Sequence, residues 1–234
     1  MFIIKFIDNL FFKDSNLRAE GREGTTTNVF LRQGQLDRAC GIYGILMLLI
    51  IHKRINGDDL TDEIAHDDPP YIKRLKKLFL NPLKGIKSDG TTMSYLRGML
   101  LRIFDDQINV SVFKKLDTGE DNLLHFRIRN HLDAGYPVLI AYRKPDAFGH
   151  VVLVIGYTML GDIMRLYCLD PSGSAPWFNY WNNMIDIKIS DDEEDWPDFN
   201  HWTGKKVKVD KILIIEDDKC MELFSPFNDT ALPF

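Results

Sequence analysis

The stretch CGIYGILMLLII, Cys40–Ile51, is apolar on every side. A helix with no polar face cannot lie at a surface, so this segment predicts a central helix around which the rest of the chain packs. It is too short for the ~20 residues that a membrane-spanning helix needs. Working outward toward the start, residues 33–38 (QGQLDR) are polar. Before them, residues 13–27 (KDSNLRAEGREGTTT) are polar and Gly-bearing and read as a linker or arm. Residues 1–12 (MFIIKFIDNLFF) suit either a packed strand or an amphipathic helix. Lys5, Asp8 and Asn9, with no basic leading region and no small-residue cleavage site, argue against a signal peptide there.

Outward in the other direction, helical signals run over 58–65, 71–80 and 91–104, where Thr91 or Thr92 can cap and Leu96, Met99, Leu100 and Ile103 share a face. Another helix is predicted over 121–135, with Asp121 at its start and Gly135 placed as a left-handed C-terminal cap. Strands then take over: 136–142 (YPVLIAY), 149–157 (GHVVLVIGY), 163–169 (IMRLYCL), 185–189 and 206–214. Helices first and strands second predict an α+β domain, a helical lobe packed on an antiparallel sheet lobe with a cleft between them. The acidic run 191–195 (DDEED) reads as a solvated loop. The organisation expected is an N-terminal element and arm over 1–32, followed by one catalytic domain over 33–234.

Composition narrows the function classes. The chain has 234 residues, 45% of them hydrophobic, which is enough for a sizeable core. Its formal charge of −5 gives no broad electrostatic footprint for phosphate or anionic lipid, so neither nucleic acid nor a membrane is expected as partner. The three cysteines, Cys40, Cys168 and Cys220, are far apart and form no CxxC pair, which suits a reducing, cytoplasmic compartment. His52, His66, His125, His131 and His201 have no partners at metal-ligand spacing. No metal and no cofactor are expected.

Three local patterns carry chemistry. In 35–41 (QLDRACG), Cys40 stands at the predicted helix N-terminus, where unpaired backbone N–H groups and the helix dipole favour thiolate over thiol. In 148–157 (FGHVVLVIGY), His150 heads an otherwise apolar strand, a position that suits a proton acceptor. In 169–173 (LDPSG), Pro171 and Gly173 turn Asp170 out of the sheet. If the strands 149–157 and 163–169 form a hairpin, Asp170 lies across from His150 and can fix its tautomer. Taken singly, each has a structural reading as well: a small core cysteine, a strand-end histidine, an Asp-Pro turn. Cys168 and Cys220 read as packing or incidental residues, and Trp177, Phe178, Tyr180 and Trp181 as core, lid or cleft wall.

Together, a glutamine, then Cys-Gly and an apolar helix, then GHVVLVIGY, then a strand ending in DP resemble the papain-like cysteine peptidases. The resemblance is closest to the double-glycine leader peptidases of bacteriocin exporters, over residues 33–52 and 121–173. It implies a papain-like fold with Cys40 as nucleophile, His150 as general base and acid, Asp170 as orienter, and a glutamine aiding the oxyanion. The family's usual glutamine position falls on Gly34, with Gln33 and Gln35 on either side; Gln35 is the choice and Gln33 the substitute.

The leading expectation is therefore a thiol hydrolase that cleaves peptide bonds of a protein or peptide substrate through a thioester. A chain without a visible pro-segment or transporter module suits an effector or toxin domain, delivered into a target cell and met there or at home by a cognate inhibitor or immunity protein. The same residues also serve glutamine deamidases and transglutaminase-like enzymes. From a different class, the chain could be an interaction module that keeps the fold without the chemistry.

Overall fold

In the computed structural model, which describes residues 4–33, 39–60, 64–79, 91–105, 107–114, 123–145, 147–177, 179–189 and 197–216, the all-apolar segment forms helix α1, Cys40–Ile51. Ile45, Met47, Leu48, Leu49 and Ile50 are fully buried, as a helix without a polar face requires. Two glycines set how closely α1 approaches its neighbours. A Cβ on Gly44 would fall 2.5 Å from Leu139 Cδ1, and one on Gly41 2.4 Å from Thr91 Oγ1. Replacing Ile45 by Ala is expected to cost ~2–5 kcal/mol in a urea titration, the range for emptying a buried aliphatic site. A change within the ~0.5 kcal/mol typical of surface positions would contradict the central placement of α1.

The polar stretch expected as a linker is folded. Strand β1, Lys5–Phe6, is followed by a meander of β2 (Leu10–Lys13), β3 (Asn16–Glu20) and β4 (Thr26–Asn28), all antiparallel. Asp14 and Ser15, both at positive φ, make the two-residue turn between β2 and β3. Leu17 and Ala19 alternate inward and join Leu10 and Val29 in the same hydrophobic cluster as α1.

Helices α2 (Pro70–Phe79), α3 (Met93–Phe104) and α4 (Leu123–Asp133) follow, with strand β5 (Asn109–Lys114) between the last two. Thr92 caps α3 by accepting from the Tyr95 N–H at 3.2 Å. Gly135, at φ +85, ends α4 where a left-handed residue was expected. Strand β5 was not anticipated. The expected helix over 58–65 is represented by a single 3₁₀ turn, Gly57–Leu60.

The remaining strands are β6 (Val138–Lys144), β7 (Ala147–Leu160), β8 (Ile163–Leu169), β9 (Asn183–Lys188), β10 (Asp198–Asn200) and β11 (Lys205–Glu216). They pair in the order β7-β6-β11-β10-β9-β8, and β8 returns to β7, so six antiparallel strands close on themselves. Strand β1 adds to β7 and β5 adds to β11. This corrects the expectation of an α+β papain-like fold in which a helical lobe packs on a sheet lobe: the strands form a closed barrel with extra strands. The physical reason lies in two long strands. The first part of β7 pairs with β6 and the second with β8, while β11 passes from β10 to β6 and then to β5. Register shifts at Val154/Gly156 and Val209/Lys211 bend them so that the sheet can close. Closure leaves the ring without an exposed edge.

No helix among the described residues is long and apolar enough to cross a membrane. The expected cap at Asp121, the acidic run 191–195, Gln35 and Cys220 lie outside the described residues.

Candidate active site

Helix α1 meets the barrel at one mouth. Its axis starts at Cys40, a half-buried free thiol, and the helix packs on β7 and β6. His150 lies near the beginning of β7, directly opposite Tyr142 of β6 in the register. Tyr142 is buried inside the barrel, and its ring meets the imidazole edge-on at a centroid distance of 5.5 Å. That contact fixes the ring plane against a rigid wall. Strand β8 ends at Leu169 and hands the chain to Asp170, which is 2% exposed.

The hairpin anticipated from sequence forms, with Leu160 opposite Ile163. His150 Nε2 lies 2.8 Å from Asp170 Oδ1. With Nε2 held by the carboxylate, Nδ1 is the nitrogen left for the thiol. The Cys40 side chain lines the same cleft and is among the groups that favour the protonated ring. Burial alone would push the His150 pKa down, but the hydrogen bonds and charges of Asp170 and Cys40 outweigh it and raise the value to about 9. Burial likewise works against an ionised Asp170. His150 and the hydroxyl and backbone N–H of Ser172 outweigh it and hold the carboxyl below its ordinary range.

Four donors converge on this carboxylate. Besides His150, Ser172 N donates at 2.9 Å and Ser172 Oγ at 2.7 Å to Oδ1, and Asn183 Nδ2 donates at 3.0 Å to Oδ2. Asn182 grips the backbone on both sides, accepting from Asp170 N at 2.7 Å and donating to Asp170 O at 2.8 Å. A buried carboxylate with this many donors is locked in place. Sequence reading missed Ser172, Asn182, Asn183 and Tyr142. The Ser172 contact is a short-range turn that LDPSG could have signalled. The asparagines reach Asp170 only because β9 pairs with β8, placing Asn183 opposite Cys168.

No protein-family model and no curated protein matches the chain.

Cys40 and His150 open on a cleft of ≈ 440 Å³, whose walls also include Gln33, Thr92 and Tyr142. Gln33 is tied to the Asp170 turn by its backbone N–H, which donates to Pro171 O at 2.8 Å. Of the two glutamines considered, it is therefore Gln33 whose place in the cleft is described; Gln35 is among the residues outside the description. Cys168 is fully buried, and burial pushes its thiol well up, so it cannot stand in for Cys40. His131 is buried with Nδ1 3.0 Å from Arg127 O, and His52 stacks on Tyr136; neither faces the cleft. Among the described residues no group of three His, Cys, Asp or Glu side chains is placed to hold a metal ion.

Chemically, the arrangement can take a proton from a thiol, hold it on a ring whose orientation is fixed, and return it to a leaving group.

Proposed function

We propose that this chain is a cysteine peptidase that cleaves a peptide bond of a protein substrate with Cys40, His150 and Asp170. The observation that carries the proposal is the relay itself: one imidazole bonded at 2.8 Å to a buried carboxylate and lining the same cleft as the Cys40 thiol. The local motifs around the three residues, which resemble those of papain-like peptidases, support the same reading.

In the first half-reaction the relay proton stands on His150 and sulfur attacks the scissile carbonyl carbon. The tetrahedral intermediate collapses to a thioester as His150 returns the proton to the departing amine. Water then attacks the thioester, His150 accepts its proton, and the thiol is regenerated as the acid product leaves. Gln33 and the Cys40 backbone N–H supply the oxyanion donors. Gln33→Ala is expected to lower kcat by ~10²–10³-fold with little change in KM, as for loss of one oxyanion donor. A normal kcat in Gln33→Ala beside a depressed one in Gln35→Ala would move the role to Gln35.

The test is to incubate the wild type and Cys40→Ala with a cell lysate and read new protein N-termini beside unit mass gains on glutamine. New N-termini that require Cys40 are expected. Cys40-dependent mass gains on glutamine without new N-termini would overturn peptide cleavage in favour of side-chain deamidation.

A further inference from the structure

Consecutive residues of a strand point to opposite faces of the sheet, so neighbours in sequence should not share a cleft. At the Cys40 cleft three runs of neighbours do: Ala141, Tyr142 and Arg143 on β6, Gly149, His150 and Val151 on β7, and Asp210 with Lys211 on β11. Each run adjoins an irregularity. The β6–β7 register shifts between Tyr142 and Lys144, and the β6–β11 register shifts between Val209 and Lys211, which leaves Asp210 as the extra residue. Bulges re-aim side chains: the one on β11 carries Asp210, and the one on β7 lies opposite Arg143.

Arg143 and Asp210 meet there. Arg143 Nε lies 3.1 Å from Asp210 Oδ2, and their side chains are 55% and 16% exposed. Asp210 is Arg143's ion-pair partner among the described residues. With Nε facing Asp210, the two Nη groups form the outer edge of the fork, the edge that matches a carboxylate in bidentate geometry. The stem of Arg143 runs over Gly149: its Cγ lies 3.9 Å from where a Cβ on that residue would stand. Gly149 immediately precedes His150 in the chain, so the guanidinium belongs to the rim closest to the proton relay. Arg143 and Lys211 bring two positive charges to the cleft against the one negative charge of Asp210. The N-terminal ends of α1 and α3 open on the same space and add positive potential.

We infer that Arg143, positioned by Asp210, is a specificity-determining residue of the Cys40 site and takes a substrate carboxylate, an Asp or Glu side chain close to the bond under attack. The inference rests on the peptidase reading above. It names an acidic peptide segment as the substrate class.

Short peptidyl vinyl sulfones, carrying Asp, Asn or Lys at each position before the reactive group in turn, test it on the full chain. The rate read is alkylation of Cys40, followed by intact mass and peptide mapping. At one position at least, the Asp probe is expected to react ~10-fold faster than its Asn isostere, the ratio of one hydrogen bond to a charged group. The advantage should shrink as salt is raised. Arg143→Glu should reverse the preference at that position in favour of the Lys probe, and Arg143→Gln should level it. Asp and Asn probes reacting within about two-fold at every position in the wild type would overturn the inference, and this comparison needs no variant. So would an Asp preference that survives Arg143→Glu. Complete failure of every peptidyl probe to alkylate Cys40 would instead bring down the peptidase reading, and the inference with it.

Discussion

Cys40→Ala is expected to lower substrate turnover by roughly 10⁶-fold while leaving the fold intact, because no second thiol among the described residues lines the cleft. Cys168 is sealed in the barrel with its thiol pushed up by burial. The substitution removes one sulfur from a half-buried position and leaves the apolar body of α1 untouched. His150→Ala should be as damaging, since no other described imidazole lines the cleft, and the two changes together should cost no more than either alone. The His150 variant also takes one of four donors from a buried carboxylate. A stability loss of ~1–3 kcal/mol should therefore accompany the loss of rate, with Ser172 and Asn183 still holding Asp170. Turnover within about ten-fold of wild type in either variant, measured on whatever substrate the lysate experiment supplies, would remove these residues from the chemistry.

Asp170→Asn is expected to leave a weak residual rate, ~10²–10⁴-fold down, because a misoriented base is less harmful than a missing one. Its pH profile should change as well. In the wild type His150 keeps its proton up to about 9, and the leaving amine needs that proton, so kcat/KM should fall as pH rises through that value. Hydrogen bonding and charge from Asp170 are two of the contributions that raise the ring. Without them the alkaline limb should move down toward the ordinary histidine value. Stability follows the same linkage. The raised His150 pKa stabilises the fold fully below the ordinary histidine value of 6.5, and that contribution fades as pH climbs through about 9. The lowered Asp170 pKa contributes fully above its ordinary 3.8 and is lost as pH falls below it. The gap in melting temperature between wild type and Asp170→Asn should thus be widest between these limits, in mildly acidic buffer. An unchanged alkaline limb in Asp170→Asn would mean that the carboxylate does not govern the ring.

What could be read from sequence was local. The apolar run of Cys40–Ile51 announces its own burial, and His150 and Asp170 stand out as titratable groups, one near the start of an apolar strand and the other just past the end of the next. The turn at Gly135 and the cap at Thr92 are likewise short-range chemistry. Barrel closure was not legible, because it depends on where β7 and β11 change partners, and a period of two says which face a residue takes but not which strand lies beside it. The N-terminal meander was hidden by polar residues on its exposed face. Only Leu17 and Ala19, alternating behind the Asp14–Ser15 turn, carried its signal. At the site, the donors that lock Asp170 from β9 were invisible for the same reason as the barrel: they arrive through tertiary pairing.

Competitive alkylation of the native protein by iodoacetamide at neutral pH, read cysteine by cysteine after digestion, tests most directly whether Cys40 and His150 work as a pair. Cys40 is expected to react well ahead of Cys168 and Cys220, and to slow markedly in His150→Ala while Cys168 stays protected. Labelling of Cys40 that is no faster than that of the other two, or that is indifferent to His150, would contradict the pairing on which the proposed chemistry depends.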